Sequence, residues 1–217
     1  MLKLDDVTLF LADGRTDEDS FNKSLFAIKH CLSKADFGNV IFQSAFKSDI
    51  TGVGYKHIKP MNISQYSLYL SSGQVIENIK TKHMLVVQHD GFILNPDKWD
   101  PEYLNYDYIG APWTTAATER PHSRVGNGGF SLRSRKLLEI CLERNLGSSD
   151  NEDWRICIWH RPLLETLDIK FAPLELAAYF SIETHLPDFD HDLTKRFGFH
   201  GPRHFDAINK IYGLTLK

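Results

Sequence analysis

HMLVVQHDGFIL, residues 83–94, is the stretch whose reading decides the fold. Met84 to Val87 form a continuous apolar run, the signature of a strand buried on both faces. The run stops on Gln88, His89, Asp90 and Gly91 before apolar character resumes at Phe92. In open α/β sheets, ligands bind in the crevice outside the carboxyl ends of the strands. An imidazole, a carboxylate and a glycine at such an end are therefore candidates for a site. Asp90 suits a hard divalent cation through oxygen, and His89 a second ligand or a donor to phosphate. Gly91 permits a tight turn or a close approach of ligand. The bland alternative stands beside this one, because His-Asp-Gly is also a serviceable turn.

Upstream, VTLFLA (residues 7–12) reads as another apolar strand, ended by Asp13-Gly14-Arg15. Phe21, Leu25, Ile28 and Leu32 then recur at helical spacing, with Asp19 or Ser20 as the N-cap. NVIFQSA (residues 39–45) is a second short strand. A strand, a helix and a strand in succession favour a parallel sheet under helices. Residues 47–63 read as loop or weak strand. Residues 63–81 read as one helix with Tyr66, Leu70, Ile76 and Ile79 inward, weakened in its middle by Ser71, Ser72 and Gly73.

The 217 residues are enough for one sizeable core, and 42% apolar with 24% charged residues is ordinary for a soluble globule. A net charge of −3 argues against a nucleic-acid partner. The amino-terminal residues lack the long apolar core of a signal peptide, and no later run is long enough for a transmembrane segment. Cys31, Cys141 and Cys157 are odd in number and widely spaced, which reads as free buried thiols in a reducing, cytoplasmic setting.

Downstream, residues 95–106 read as loop and turn, and residues 107–113 as a short extended piece. Residues 114–124 read as an exposed loop. RVGNGGFSLRS (residues 124–134) packs three glycines before a helix beginning near Ser134. Exposed backbone N–H groups there suit an anion or sugar hydroxyls, with Gly128 and Gly129 leaving room for a flat ligand. The spacing is neither that of a Walker loop nor of GxGxxG. A plain turn that buries Phe130 and Leu132 and caps the helix with Ser134 explains it equally well.

SSDNEDW (residues 148–154) opens another helix, stopped or kinked at Pro162. Ser149 and Glu152 match the capping box, and Asp150 suits the first helical turn. Asp153 is the carboxylate that capping explains least, and so a candidate general base. Trp154 and Trp159 read as core. A last helix covers residues 205–211.

QHDGFIL, YDYIGAPW, VGNGGFSLRSRKLL, NEDW and FAPLELAAYFSIE together resemble an uncharacterised glycosyltransferase-like family from bacterial polysaccharide clusters and large viruses. The resemblance covers about residues 38–205. Members are similar to nucleotide-sugar transferases of the GT-A type. The resemblance implies one α/β domain over residues 1–217, with a mainly parallel central sheet flanked by helices. It implies a nucleotide-binding half over residues 1–95 and an acceptor-side half over residues 96–217.

It also implies a nucleoside-diphosphate sugar as donor and a glycan or lipid-linked acceptor, with peripheral membrane contact left open. Asp90 takes the place of the metal-binding carboxylate for Mn2+ or Mg2+, and Gln88 stands where a first acidic residue is usual. His200 in FGFHG matches the late histidine that completes the metal or diphosphate site. Gly128, Gly129 and Arg133 fall near the donor sugar, with His89 beside the diphosphate. Asp153 falls where inverting enzymes keep their base, with Glu152 as the alternative. Asp13 and Arg15 fall where base and ribose bind.

Three other readings stay open. Asp90 and Asp153 could serve a glycoside hydrolase. The glutamine at position 88 suits an inactive carbohydrate- or nucleotide-sugar-binding protein of the same fold. Ala12-Asp13-Gly14-Arg15 is a weak version of the loop a sugar nucleotidyltransferase would want after its first strand.

Overall fold

The computed structural model describes residues 1–114, 124–147 and 149–217. The exposed-loop reading of residues 114–124 falls almost wholly outside them. The strands are β1 (Leu2–Asp13), β2 (Ala35–Ser44), β3 (Gly54–His57), β4 (His83–Val86), β5 (Tyr108–Gly110) and β6 (Ser131–Ser134). Among the described residues they form one sheet in the order β3-β2-β1-β4-β6-β5. β1 to β4 are mutually parallel, and β6 runs antiparallel to both of its neighbours. The sheet is thus mainly parallel, as the apolar runs imply.

Helices on both faces explain those runs. Along β1, Leu9 and Leu11 join the buried cluster that contains Ala27, Ile28 and Cys31 of α1 (Glu18–Lys34). Phe10 and Ala12 point the other way. There they meet α2 (Ile63–Leu70), α3 (Gly73–Ile76) and α4 (Arg135–Glu143) through Leu70, Val75, Ile76 and Leu138. β4 and the residue that follows it divide likewise, with Leu85 and Val87 on the first face and Met84 and Val86 on the second. Side chains alternate with period two, so a strand covered on both faces reads as a nearly continuous apolar run. Each such side chain contributes about 1.5–3 kcal/mol relative to its exposed state.

The strand order places a switch point between β1 and β4. From β1 the chain moves through α1 to β2 and β3 on one side, then returns to put β4 on the other. The carboxyl ends of β1 and β4 therefore diverge into a crevice.

The remaining elements build the wall opposite. They are α5 (Glu152–Trp154), extended by a π-helical turn over Arg155–Trp159, then α6 (Arg161–Thr166) and α7 (Leu174–Phe180). A short parallel pair, β7 (Ser181–Ile182) with β8 (Gly198–Phe199), precedes α8 (Phe205–Tyr212). Phe130, Phe180 and Phe197 pack between this layer and the sheet.

Several local expectations are corrected. The N-cap of α1 is Asp17, whose carboxylate accepts from Ser20 N, rather than Asp19 or Ser20. Residues 63–81 form two short helices, broken where Ser71 and Ser72 end the first and begin the second. The Ser149–Glu152 capping box does not form. Asn151 is the N-cap without a side-chain bond, and Glu152 is engaged elsewhere. Trp159 is 59% exposed and not core. The three cysteines are free and buried, and Ser134 caps α4 through Leu137 N, as read from the sequence. No helix among the described residues is long and apolar enough to cross a membrane.

Candidate active site

The end of β1 forms one lip of the crevice. Asp13 is its last residue and is buried. Its carboxylate accepts from Arg15 Nε at 2.8 Å, Arg15 Nη2 at 3.0 Å and Ser24 Oγ at 2.7 Å. Burial opposes the Asp13 charge, but the Arg15 and Ser24 hydrogen bonds outweigh it and hold the carboxyl below its ordinary value. Asp13 thereby orients Arg15, which stays about one-third exposed. Both line a cleft of about 340 Å3 with Ser24, Asn62, Tyr66, Gln88 and His89.

The end of β4 forms the other lip. Gln88 and Gly91 exchange backbone hydrogen bonds, which closes Gln88-His89-Asp90-Gly91 into a tight turn. Glycine is needed at 91, because a Cβ there would lie 2.9 Å from the Phe199 carbonyl oxygen and 3.0 Å from the His200 ring. The turn meets the ends of the short parallel pair. Ser181 pairs with Gly198 and Ile182 with Phe199, so the next residues in register are Glu183 and His200. His200 Nδ1 lies 3.1 Å from Glu183 Oε1, and Nε2 lies 3.2 Å from Gln88 Oε1 and 3.5 Å from Asp90 Oδ1.

Burial disfavours a charge on His200, but its interactions with Asp90 and Glu183 win and raise its pKa from 6.5 to about 9. At 3.5 Å the Asp90 contact is electrostatic rather than a hydrogen bond. Asp90 Oδ1 is accordingly buried without a hydrogen-bond partner, with His89 Nδ1 a further 3.3 Å away. Burial raises the Asp90 pKa, and the two histidines more than offset this, so the carboxyl sits below its usual range. The Asn127 amide nitrogen lies 3.0 Å from His200 Nδ1. With the ring protonated, two donors face each other there, and the bond to Glu183 is the one the charge favours.

The glycine-rich turn joins this cluster to the acidic helix start. Asn127 adopts φ 61°, a left-handed conformation that asparagine tolerates. The space a side chain would need at Gly129 is filled by the His200 ring, 2.0 Å from an ideal Cβ. At Gly128 the space is taken by Glu152 Oε1 at 2.5 Å and by Asp153 Cβ at 3.3 Å. Both glycines therefore make room for the protein's own side chains, which corrects the expectation of a bare wall for a flat ligand.

Gly128 N donates to Asp153 Oδ2 at 2.8 Å, and Trp154 N donates to Oδ1 at 2.7 Å. Burial and the neighbouring Glu152 push the Asp153 carboxyl up from 3.8 to about 6. Glu152 is buried and paired with Arg133 Nη2 at 2.8 Å. Arg133 is itself wholly buried, bonded to Ser131 Oγ and the Gly128 carbonyl and lying over the Tyr108 ring. Its guanidinium does not reach the cleft surface.

The candidate residues thus fall into three connected groups. Asp13, Arg15 and His89 line the cleft; Asp90 and His200 meet behind Gln88, which also lines it; Gly128, Gly129, Glu152, Asp153 and Arg133 follow, packed against the His200 ring through Gly129. Glu183, Asn127, Tyr66 and Ser24 escaped the sequence reading. Glu183 is the one with a signal, as the first charged residue after the largely apolar run from Leu176 to Ile182. Among the described residues, no group of three or more His, Cys, Asp and Glu is arranged to hold a metal ion.

A model of the family described as protein of unknown function (DUF5672) matches residues 55–200. No curated protein matches the sequence. Among solved structures, the fold is similar to that of a glycosyltransferase involved in the glycosylation of the major capsid of PBCV-1. The TM-score is 0.51 at 9% identity, over 96% of this chain and 99% of that one. The mannosyltransferase PcManGT from Pyrobaculum calidifontis, in complex with GDP-Man and Mn2+, matches with a TM-score of 0.43 at 12% identity. That match covers 68% of this chain and 49% of PcManGT, so the chain spans about half of its length. At 9% identity, the capsid-glycosylation enzyme shows the fold alone: a mainly parallel sheet flanked by helices, of the GT-A type.

Proposed function

The chain belongs to the DUF5672 family, and from its fold and crevice we propose that it moves a sugar from a nucleoside-diphosphate sugar to a hydroxyl of a glycan or polysaccharide acceptor. One observation carries the reading: the cleft at the ends of β1 and β4 leads from Arg15 to Gln88 and His89, whose turn sets Asp90 against the His200 ring. Arg15, oriented by Asp13, supplies a cation for the nucleotide. His200 brings a second positive charge to the place where a departing diphosphate gathers negative charge.

A divalent cation is the alternative to that charge, taken when the His200 ring has given up its proton, since only the neutral imidazole ligates a metal. Asp90 Oδ1 is a buried carboxylate oxygen with no hydrogen-bond partner. His200 Nε2 and Gln88 Oε1 stand beside it, and Glu183 behind Nδ1 is the kind of carboxylate that supports a metal-bound imidazole. Asp90 and the neutral His200 ring would hold Mn2+ or Mg2+. When bound, such an ion neutralises the leaving diphosphate.

Asp153 serves as the base that takes the proton of the acceptor hydroxyl. Its carboxyl, raised to about 6, is largely ionised at neutral pH yet basic enough to accept a proton. The Gly128 N–H fixes its orientation. Glu152, committed to Arg133, braces the wall and leaves the proton transfer to Asp153. Arg133 holds Glu152 and the Gly128 carbonyl rather than the donor.

The test is incubation with a panel of nucleotide sugars and glycan acceptors, with and without Mn2+, followed by assay of the products. Release of a nucleoside diphosphate with a glycosylated acceptor is the expected result. Pyrophosphate release would assign a nucleotidyltransferase instead. Saturable binding of nucleotide sugars with no turnover across the panel would assign an inactive binding protein.

A further inference from the structure

A second cleft, of about 400 Å3, shares no lining residue with the first. Two arginines from distant parts of the chain meet at it: Arg124, just before the glycine-rich turn, and Arg161, the first residue of α6. Val125, Phe171 and Leu174 supply apolar wall, and no Asp or Glu is among its described lining residues.

Each guanidinium is anchored on one side. Arg124 Nε donates to the Trp113 carbonyl and Nη1 to Asp188, both at 3.0 Å. Arg161 Nε donates to Glu165 at 2.8 Å, and its guanidinium lies 4.5 Å over the Phe171 ring. Each also keeps one buried nitrogen without a hydrogen-bond partner, Nη2 of Arg124 and Nη1 of Arg161. A buried donor left unmade is costly, the more so when charged. Asp188 and Glu165 are more than half exposed, so each pair is open to water on its acidic side. Two arginines line one cleft whose described lining holds no acid, and each keeps a donor that the protein does not satisfy, a setting that suits an anion with several acceptor oxygens.

We propose that this cleft binds a phosphate group through Arg124 and Arg161. A phosphate offers three acceptor oxygens and up to two charges, which matches two forks better than a carboxylate does. The apolar wall suits the carbon skeleton that carries it. The cleft is tied to the acidic helix start, because the Trp113 ring lies 5.4 Å from that of Trp154, the neighbour of Asp153. On the transferase reading, the phosphate therefore belongs to the acceptor; the phosphate site itself does not depend on that reading.

The experiment follows the arginine Nε–H signals of the full chain by 15N NMR during titration with inorganic phosphate, then with geranyl phosphate. Saturable shifts of both Arg124 and Arg161 are expected. In Arg161→Gln, the apparent Kd read at Arg124 should rise about tenfold or more. Arg161→Lys, which keeps the charge and loses the fork, should fall between the two, and gives the comparison if Arg161→Gln does not fold. Tighter binding of geranyl phosphate supports a lipid-linked phosphate, and equal binding supports the phosphate of a water-soluble acceptor. The proposal is overturned if neither arginine responds to either probe, or if Arg161→Gln and Arg161→Lys titrate like wild type. Shifts at both arginines in a protein that turns over no nucleotide sugar uphold the phosphate site and sink the transfer reading alone.

Discussion

Adding one methyl group at Gly129 tests the construction of the site. An ideal Cβ there lies 2.0 Å from His200 Nε2, 2.3 Å from Cδ2 and 2.5 Å from Cε1. The ring is not free to swing aside, because Glu183 and Gln88 hold its two nitrogens. Gly129→Ala must therefore move the imidazole away from Asp90 and Glu183. Those two carboxylates lift the His200 pKa from 6.5 to about 9, which corresponds to about 3 kcal/mol.

The sign follows from a pKa raised on folding. The stabilisation is fully present below pH 6.5 and is lost as the pH rises through about 9. Gly129→Ala forfeits up to that amount at pH 6 and almost none of it at pH 9.5. Overpacking adds about 1–3 kcal/mol at every pH. Urea unfolding with EDTA present should show the gap between wild type and variant narrowing by up to about 3 kcal/mol between pH 6 and pH 9.5. In a His200→Ala background the clash is relieved, and the same substitution should cost less than about 1 kcal/mol. A gap independent of pH, or an undiminished cost without the ring, would refute the reasoning.

Four further outcomes follow from the same geometry. Asp153→Asn should bind nucleotide sugar as wild type does and lose roughly 10²–10⁴-fold in kcat, read by coupled release of nucleoside diphosphate. In wild type, kcat/KM should fall about tenfold per pH unit below about pH 6, where Asp153 takes up its proton; a flat profile down to pH 5 would remove it as the base. Asp90→Asn should abolish any Mn2+-dependent rise in melting temperature with nucleoside diphosphate present, and a rise that survives intact would place the metal elsewhere. Glu152→Ala leaves the buried Arg133 unpaired and should cost about 3–5 kcal/mol in urea unfolding, whereas a loss below 1 kcal/mol would show that Arg133 finds another partner.

The sheet was legible because burial on both faces leaves a plain mark. Val7 to Ala12 and Met84 to Val87 have no polar face to show, and helices do cover both of their sides. The polar stop at Gln88 to Gly91 was legible for the same reason, since a strand that leaves the core must change composition. Helix starts were less so. Asp17, Asp19 and Ser20 all qualify as caps, and the choice rests on which backbone N–H is left free. At residues 149–152 the capping pattern was present, yet Glu152 turned to Arg133, because a buried guanidinium competes more strongly for a carboxylate than a helix terminus does.

By itself, then, the sequence determined the apolar strands and the polar ends that mark the crevice, and it offered Asp90 and Asp153 as candidates, with His200 added by the family resemblance. Only the tertiary structure decided how they act on one another. Gly129 is empty because the His200 ring needs its space, and Gly128 because Glu152 and Asp153 need theirs. Glu183 reaches His200 because two strands 17 positions apart pair in parallel register. Local pattern records whether a residue is buried; which partner meets it there, and the charge it then carries, are set by contacts between distant parts of the chain.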